Sequence, residues 1–197
     1  MLRGVDDSKA DLQHYLTKAR DALLWKLDGL SEYDVRRPLV PSGTNLLGIV
    51  KHVGSVAVGY FGETFGRPFP EDVPWFADGA PAAADLWATA DESVDDIVGF
   101  YRRAWAFADE TIAATPIDGI GRVPWWPEGD DEVTLHTILV HMVTEVNRHA
   151  GHADVVRELI DGAVGLRVDN DNLDVGDDGW QAHHDRVEAA ARRASGT

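Results

Sequence analysis

The chain has 197 residues, of which 34 are acidic and 18 are basic, so its formal net charge is −16. This excess of negative charge excludes nucleic acids and anionic membrane surfaces as expected partners, because phosphate groups are bound by clustered lysine and arginine. The absence of cysteine excludes disulfides, iron–sulfur clusters, cysteine-ligated zinc and a cysteine nucleophile. Since no apolar run has the length of a signal peptide or a membrane span, we expect a soluble cytoplasmic protein.

Helical periodicity begins near the amino terminus. Apolar residues recur at steps of three and four over residues 8–30, which predicts a first long helix. A second helix is predicted after residues 42–44, with Ser42 or Thr44 as its amino-terminal cap, and it is expected to end at about Phe65. Four glycines interrupt this helix, and we expect them to allow close approach of a neighbouring helix.

A long connection follows the second helix. Its four prolines forbid a regular helix between residues 68 and 91, whereas its aromatic residues predict that it packs onto the rest of the chain. A third helix is predicted over about residues 93–114 and a fourth over about residues 134–161. An acidic turn at residues 169–172 and a short helix over residues 180–193 are predicted to complete the chain.

No segment alternates apolar and polar residues over the length of a strand. The sequence therefore predicts an all-α protein: a four-helix bundle with a long crossover link and a short C-terminal helix. We expect residues 1–165 to form the bundle. Residues 166–197, with the acidic turn and the short helix, are expected to be part of the same domain.

The fourth helix carries unexpected polar residues on its apolar face. Residues three or four apart share a face of a helix, so Ile138, Glu145, His149 and Val156 lie on one stripe. Because the ends of this stripe are apolar, the carboxylate and the imidazole are predicted to face the core. A buried carboxylate needs neutralisation, an ion pair or a metal ion.

Of these three possibilities, a third polar residue favours a metal ion. Glu145 and His149 lie one turn apart, where both can reach one cation, and His52 lies on the apolar face of the second helix. Two histidines and one carboxylate suit zinc with an open fourth position, and nickel, cobalt and iron accept a similar donor set. The alternative from the same residues is a metal-free structural bundle in which Glu145 and His149 form an ion pair.

Other residues near this stripe receive weaker interpretations. His141 and His152 are predicted to orient a ligand or to lie at an interface, since a metal-bound imidazole needs a partner that holds it. Trp125 and Trp126 lie between two prolines. They could wall a substrate pocket, although capping one end of the bundle is the more common role of such residues.

The arrangement of these residues resembles the DinB-like superfamily of metal-binding four-helix bundles. A histidine in the middle of the second helix is followed about ninety residues later by a ligand-x-x-x-His pair and then by x-Gly-His; here these are His52, Glu145, His149 and residues 150–152. The run 145–162 is similar to the actinobacterial branch. That branch includes mycothiol-dependent S-transferases and the metal-binding domain of the mycothiol-dependent maleylpyruvate isomerase. The resemblance covers about residues 8–162.

The resemblance implies a divalent metal, zinc or nickel, held by His52, Glu145 and His149, and a low-molecular-weight thiol such as mycothiol as co-substrate. Coordination to a metal favours thiolate over thiol, and the thiolate would attack a small electrophile in detoxification. His152 is a candidate for the general base of this reaction. The resemblance also makes a homodimer plausible. The same centre could instead activate water in a metal-dependent hydrolase.

The chain departs from its relatives in two respects. Many members of the superfamily use three histidines, whereas Glu145 occupies the middle position here, as a carboxylate does in the isomerase. Only 35 residues follow Gly162. Because this is too few for the separate C-terminal domain of the isomerase, isomerase activity is not expected. The alternative function is a non-enzymatic bundle that binds a metal or a ligand as a sensor or scaffold.

Overall fold

The computed structural model of the chain describes residues 5–167 and 179–196. The helices are α1 (Val5–Trp25), α2 (Glu32–Arg36), α3 (Leu46–Phe61), α4 (Val94–Ala114), α5 (Leu135–Asp161) and α6 (Gly179–Ser195). Two short strands, β1 (Ile120–Arg122) and β2 (Glu132–Thr134), precede α5. The chain divides into two compact units, Met1–Val164 and Gly165–Thr197, which are described separately.

Helices α1, α3, α4 and α5 form a four-helix bundle around one apolar core. Helix α5 contacts both α1 and α3, and α3 contacts α4. The ring is closed by an ion pair between Arg20 of α1 and Asp109 of α4. Fully buried apolar residues come from all four helices, among them Leu23, Val50, Val53, Ile112, Leu139 and Val146. The prediction of an all-α bundle is confirmed.

The direction of the helices confirms the crossover link. Gly54 of α3 lies against Phe100 of α4, and Gly62, which follows α3, lies against Phe107. Positions therefore increase along both helices together, so α3 and α4 are parallel. Two parallel neighbours can be joined only by a connection that returns along their length, and residues 62–93 form that connection. Gly54 and Gly62 allow the close approach of α4, as expected, whereas Gly48 and Gly59 make room for Leu86 of the link and for Trp125.

The ends of the helices differ from the predicted ends by a few residues. Asn45, rather than Ser42 or Thr44, caps α3, because its side-chain oxygen accepts a hydrogen bond of 2.8 Å from the third amide of the helix. Ser42 and Thr44 are hydrogen-bonded to each other at 2.9 Å. Helix α3 ends at Phe61, and the predicted last turn is instead a 3₁₀ helix, Glu63–Phe65.

The expectation that the chain has no strand is wrong. Strands β1 and β2 pair antiparallel, with Gly121 opposite Val133. Gly121 packs so closely on Thr64 that a Cβ atom would lie 2.6 Å from the Thr64 carbonyl oxygen. Each strand has three residues, which is too short for a visible alternation of apolar and polar residues. Helix α2, capped by the Ser31 hydroxyl, has five residues. It is likewise too short for helical periodicity to reveal it in the sequence.

The second unit contains α6, none of whose residues is buried. Arg192 and Glu188 form an ion pair of 2.7 Å one turn apart on this helix. The predicted acidic turn at residues 169–172 lies outside the described residues. That residues 166–197 belong to the same domain as the bundle stays a prediction. None of the helices in the described ranges has the combination of length and apolarity that crossing a bilayer requires.

Candidate metal centre

The antiparallel packing of α3 and α5 brings the three predicted ligands together. One nitrogen from each histidine and one carboxylate oxygen all lie within 4.8 Å of one another. Glu145 Oε1 lies 3.0 Å from His149 Nε2 and 3.6 Å from His52 Nε2. All three side chains are half-buried, with 15–26% of their surface exposed. The convergence that the helix spacing predicts is therefore present, whereas the ligand role of these residues stays a prediction.

Glu145 and His149 are held in the charge states that bind a cation. Burial alone would raise the pKa of Glu145, but the charges and hydrogen bonds of His149 and His52 outweigh burial, so the pKa of Glu145 lies below its ordinary value. Burial, together with the nearby His52, lowers the pKa of His149, and Glu145 opposes this only in part. Near neutral pH the cluster thus contains an ionised carboxylate and a neutral His149 imidazole, which are the forms that coordinate metals.

A fourth residue, Asp85, completes the cluster, and sequence reasoning missed it. Asp85 lies in the long link between α3 and α4, and its Oδ2 is 2.7 Å from His52 Nδ1. Because an ionised carboxylate only accepts hydrogen bonds, His52 donates this bond and carries its proton on Nδ1. Nothing in the proline-rich link marks Asp85 in the sequence: it stands among alanines, outside any periodic segment.

The hydrogen-bonding pattern fits a cation between the side chains. With the proton of Nδ1 directed at Asp85, His52 turns Nε2 toward Glu145 Oε1, 3.6 Å away. Two acceptors that face each other repel unless a proton or a cation lies between them. Two ligands of one tetrahedral zinc lie roughly 3.4 Å apart when each bond is about 2.1 Å long. The separations of 3.0 and 3.6 Å between Glu145 and the two imidazoles, and the donor set of two imidazoles and one carboxylate, therefore fit zinc or a similar divalent ion.

The other candidate histidines lie near the cluster but not in it. The His152 ring contacts the His149 ring edge-on, with centroids 5.4 Å apart, and His152 is exposed. His149 Nδ1 is buried and has no hydrogen-bond partner among the described residues. His141 lies two turns away from His149 and packs against the rings of Tyr60 and Trp126. Of the two, only His152 is therefore placed where it could act on the cluster.

Asp85, the hydrogen-bond partner of His52, also lines a large cavity. Its volume is about 680 Å³, and most of its wall is apolar. The lining residues are Ser55, Val56, Val58, Gly59, Tyr60, Glu63, Pro68, Phe69, Glu71, Asp72, Val73, Phe76, Asp85 and Trp125. Cavities of this size bury most of a small organic molecule.

The two neighbouring tryptophans, Trp125 and Trp126, have different contacts. Trp125 lines the cavity and lies edge-on to Tyr60, with ring centroids 5.2 Å apart. A Cβ atom on Gly59 would lie 2.9 Å from the Trp125 ring, so the glycine makes room for the indole. Trp126 points elsewhere and donates a hydrogen bond of 3.3 Å to the Tyr60 hydroxyl. For Trp125 the pocket interpretation is the one that the geometry favours.

A smaller cavity of about 180 Å³ lies beside His149 and His152. Its remaining wall comes from the loop before α3, with Ser42, Gly43, Thr44 and Asn45, and from Ile49 and Leu86. Asp85 lines the large cavity and Leu86 the small one, so the 3₁₀ helix Ala84–Leu86 lies between the two. The cluster is thus bordered by an apolar cavity and by a smaller one whose loop carries hydroxyl and amide groups.

Comparison with known proteins identifies the family. No curated protein sequence matches the chain. The family model described as Mycothiol-S-transferase, a DinB-like family, matches residues 11–162. These residues cover most of the chain, all four bundle helices except the first turns of α1, and every residue of the candidate metal centre. The resemblance to the DinB-like superfamily is confirmed, and the chain belongs to the mycothiol-S-transferase family.

Proposed function

We propose that this protein is a metal-dependent transferase that activates a low-molecular-weight thiol, mycothiol or a similar one, for attack on a small electrophile. The observation that carries the proposal is the convergence of His52, Glu145 and His149, together with an apolar cavity lined by Asp85, the hydrogen-bond partner of His52. The family to which the chain belongs supports the choice of thiol. Since the chain has no cysteine, the nucleophilic sulfur has to come from the co-substrate.

The three clustered residues would hold a divalent ion, which we propose to be zinc, with nickel as the alternative. When bound, such an ion favours the thiolate over the thiol near neutral pH. Glu145 contributes one negative charge that a third histidine would not contribute. His152, at the edge of the cluster, stays our candidate for accepting the proton of the thiol.

The large cavity would hold the electrophile. Trp125, Phe76 and Val73 give it apolar walls, and Asp85 marks the end that adjoins the cluster. An electrophile seated there would present its reactive carbon to sulfur while its apolar part is removed from water. The carbon–sulfur bond forms as the leaving group departs with its electron pair. We propose that this reaction serves detoxification in the cytoplasm, and the homodimer that the resemblance makes plausible is part of the same proposal.

The metal content of the purified protein tests the first half of the proposal. We expect about one divalent ion per chain in the wild-type protein and its loss in His149→Ala, measured by plasma mass spectrometry after reconstitution and desalting. His136→Ala is the matched control, because His136 is an exposed histidine at the start of the same helix. Absence of metal from the wild-type protein would contradict the proposal, as would equal metal content in all three proteins.

Transfer of mycothiol to an electrophilic dye tests the second half. We expect turnover by the wild-type protein with bound metal and its loss in His52→Ala, whereas His136→Ala keeps the wild-type rate. Turnover that is unchanged in His52→Ala would refute the mechanism. Saturable binding of metal without turnover over several thiols and electrophiles would instead favour the alternative of a binding module, a sensor or scaffold.

A further inference from the structure

Residues 84–92, the last part of the long link, lie across α3, and we call this segment the strap. The buried Lys51 of α3 donates hydrogen bonds to two residues of the strap. They are the Trp87 carbonyl oxygen, at 3.1 Å, and the Glu92 carboxylate, at 2.8 and 2.9 Å. Only 2% of the Lys51 side chain is exposed. A lysine buried to this degree requires its partners, so the strap cannot leave α3 without a large loss of free energy.

Two further groups fasten the strap. The cap residue Asn45 donates a hydrogen bond of 3.3 Å to the Leu86 carbonyl oxygen. Arg36 of α2 donates to the carbonyl oxygens of Ala88 and Thr89, the latter at 3.0 Å. The strap is therefore held from both sides by backbone contacts that do not involve Asp85.

The surface of α3 beneath the strap is flat because of Gly48. A Cβ atom at this position would lie 2.6 Å from the Leu86 carbonyl carbon. The backbone of the strap thus rests directly on the helix, one turn before His52. These contacts hold the strap against α3 and place Asp85 beside the imidazole of His52.

We propose that Asp85 is a positioning residue that fixes the ring and the tautomer of His52, so that Nε2 presents its lone pair to the cation. The proposal rests on the metal-binding function proposed above. The supporting contact is the 2.7 Å hydrogen bond between His52 Nδ1 and Asp85 Oδ2, both of whose side chains are more than four-fifths buried. A carboxylate that holds the second nitrogen of a metal-bound histidine raises its basicity and its affinity for the metal.

The two histidines of the cluster differ in this respect. His149 Nδ1 is buried without a hydrogen-bond partner in the described part of the chain, whereas His52 Nδ1 is held by Asp85. His52 is therefore the anchored donor of the pair. Removal of Asp85 should weaken metal binding through His52 alone, because His52 is the cluster residue to which Asp85 is hydrogen-bonded.

Nuclear magnetic resonance of the metal-free protein tests the tautomer. At a pH above the titration of the histidines, the ring nitrogen shifts of His52 should report a proton on Nδ1 in the wild-type protein. In Asp85→Ala the proton should move to a mixture dominated by Nε2. Asp91→Ala is the matched control, because Asp91 is an exposed aspartate of the same strap. A wild-type His52 with its proton on Nε2 would overturn the proposal without any reference to metal.

Competition for Zn²⁺ against a chromophoric chelator tests the consequence. We expect Asp85→Ala to bind zinc about 10–100-fold more weakly than the wild-type protein. Asp85→Asn should lie between them, since its amide oxygen still accepts the hydrogen bond but carries no charge. The affinities of Asp91→Ala and the wild-type protein should agree. Circular dichroism of all four metal-free proteins would establish that each is folded, as the fastening of the strap by Lys51 and Asn45 predicts.

The outcomes separate this proposal from the proposed function. Zinc affinity within twofold of the wild-type value in folded Asp85→Ala would refute the role of Asp85 and leave the metal-dependent function intact. A wild-type protein that binds no zinc would refute the metal-dependent function and, with it, the consequence for affinity.

Discussion

A methyl group placed at Gly48 tests how firmly the strap rests on α3. The Cβ atom of Gly48→Ala would lie 2.6 Å from the Leu86 carbonyl carbon. This is closer by about 1 Å than the roughly 3.5 Å at which two carbon atoms make contact. The Leu86 carbonyl oxygen lies closer still, so the backbone of the strap has to lift by more than that distance, because neither the helix nor the carbonyl group can rotate away. The Asn45 hydrogen bond to Leu86 is then lost.

The expected change in the free energy of unfolding is the sum of one stabilising and two destabilising contributions. Alanine in place of glycine within a helix stabilises it by about 1 kcal/mol. The forced overpacking costs about 1–3 kcal/mol, and each lost hydrogen bond of the strap costs about 1 kcal/mol. We therefore expect Gly48→Ala to lower the free energy of unfolding by about 2 kcal/mol.

Gly151→Ala is the matched control for this substitution. Gly151 lies inside α5, is exposed, and has nothing within 4 Å of the position of its Cβ atom. Only the helix propensity then changes, so this variant should be more stable than the wild-type protein by about 1 kcal/mol. Urea unfolding of the metal-free proteins, followed by circular dichroism, measures both values. Stabilisation of equal size in the two variants would refute the inference that the strap is pressed against α3.

Two further predictions concern the strap and the cavity. Burial raises the pKa of Glu92, but hydrogen bonds with Lys51 and Thr89 outweigh it, so this pKa lies below 4.5 in the folded protein. A carboxyl group with a lowered pKa stabilises the fold above its unfolded pKa, and this contribution disappears as the pH falls through the folded value. Urea unfolding should therefore find Glu92→Gln less stable by about 2 kcal/mol at pH 7, with the difference closing as the pH falls through the folded pKa of Glu92. A difference that stays constant with pH would contradict this reasoning. Trp125→Ala should raise the KM for an apolar electrophile severalfold while zinc affinity stays at the wild-type value, because Trp125 lines the cavity and does not touch the cluster; an unchanged KM would show that the electrophile binds elsewhere.

The helices and the clustering of His52, Glu145 and His149 were accessible to sequence reasoning because both follow from helical periodicity. The four-residue step between Glu145 and His149 fixes their common face, and the apolar neighbours of His52 fix its face on α3. Two faces that are both apolar have to meet in a bundle of this size, so the cluster follows from patterns within single helices.

Asp85 could not be predicted for the opposite reason. Its position depends on the path of a link that has no period, and that path is set by contacts between distant residues: Lys51 with Glu92, and Asn45 with Leu86. The strands β1 and β2 escaped detection because three residues are too few for a pattern. Local sequence specifies regular elements, whereas the course of an irregular segment depends on what it packs against.

The crossover link has a consequence for how proteins of this architecture can diversify. The side chains of the cluster belong to α3 and α5, whereas Pro68, Phe69, Val73 and Phe76 of the cavity wall belong to the link. Substitutions in the link can therefore reshape the space available to a substrate while the helices that carry the cluster stay intact. Among the contacts described above, the hydrogen bond of Asp85 to His52 is the one that joins the link to a side chain of the cluster. Selection for new substrates can therefore act on the link, whereas selection for the chemistry acts on α3 and α5.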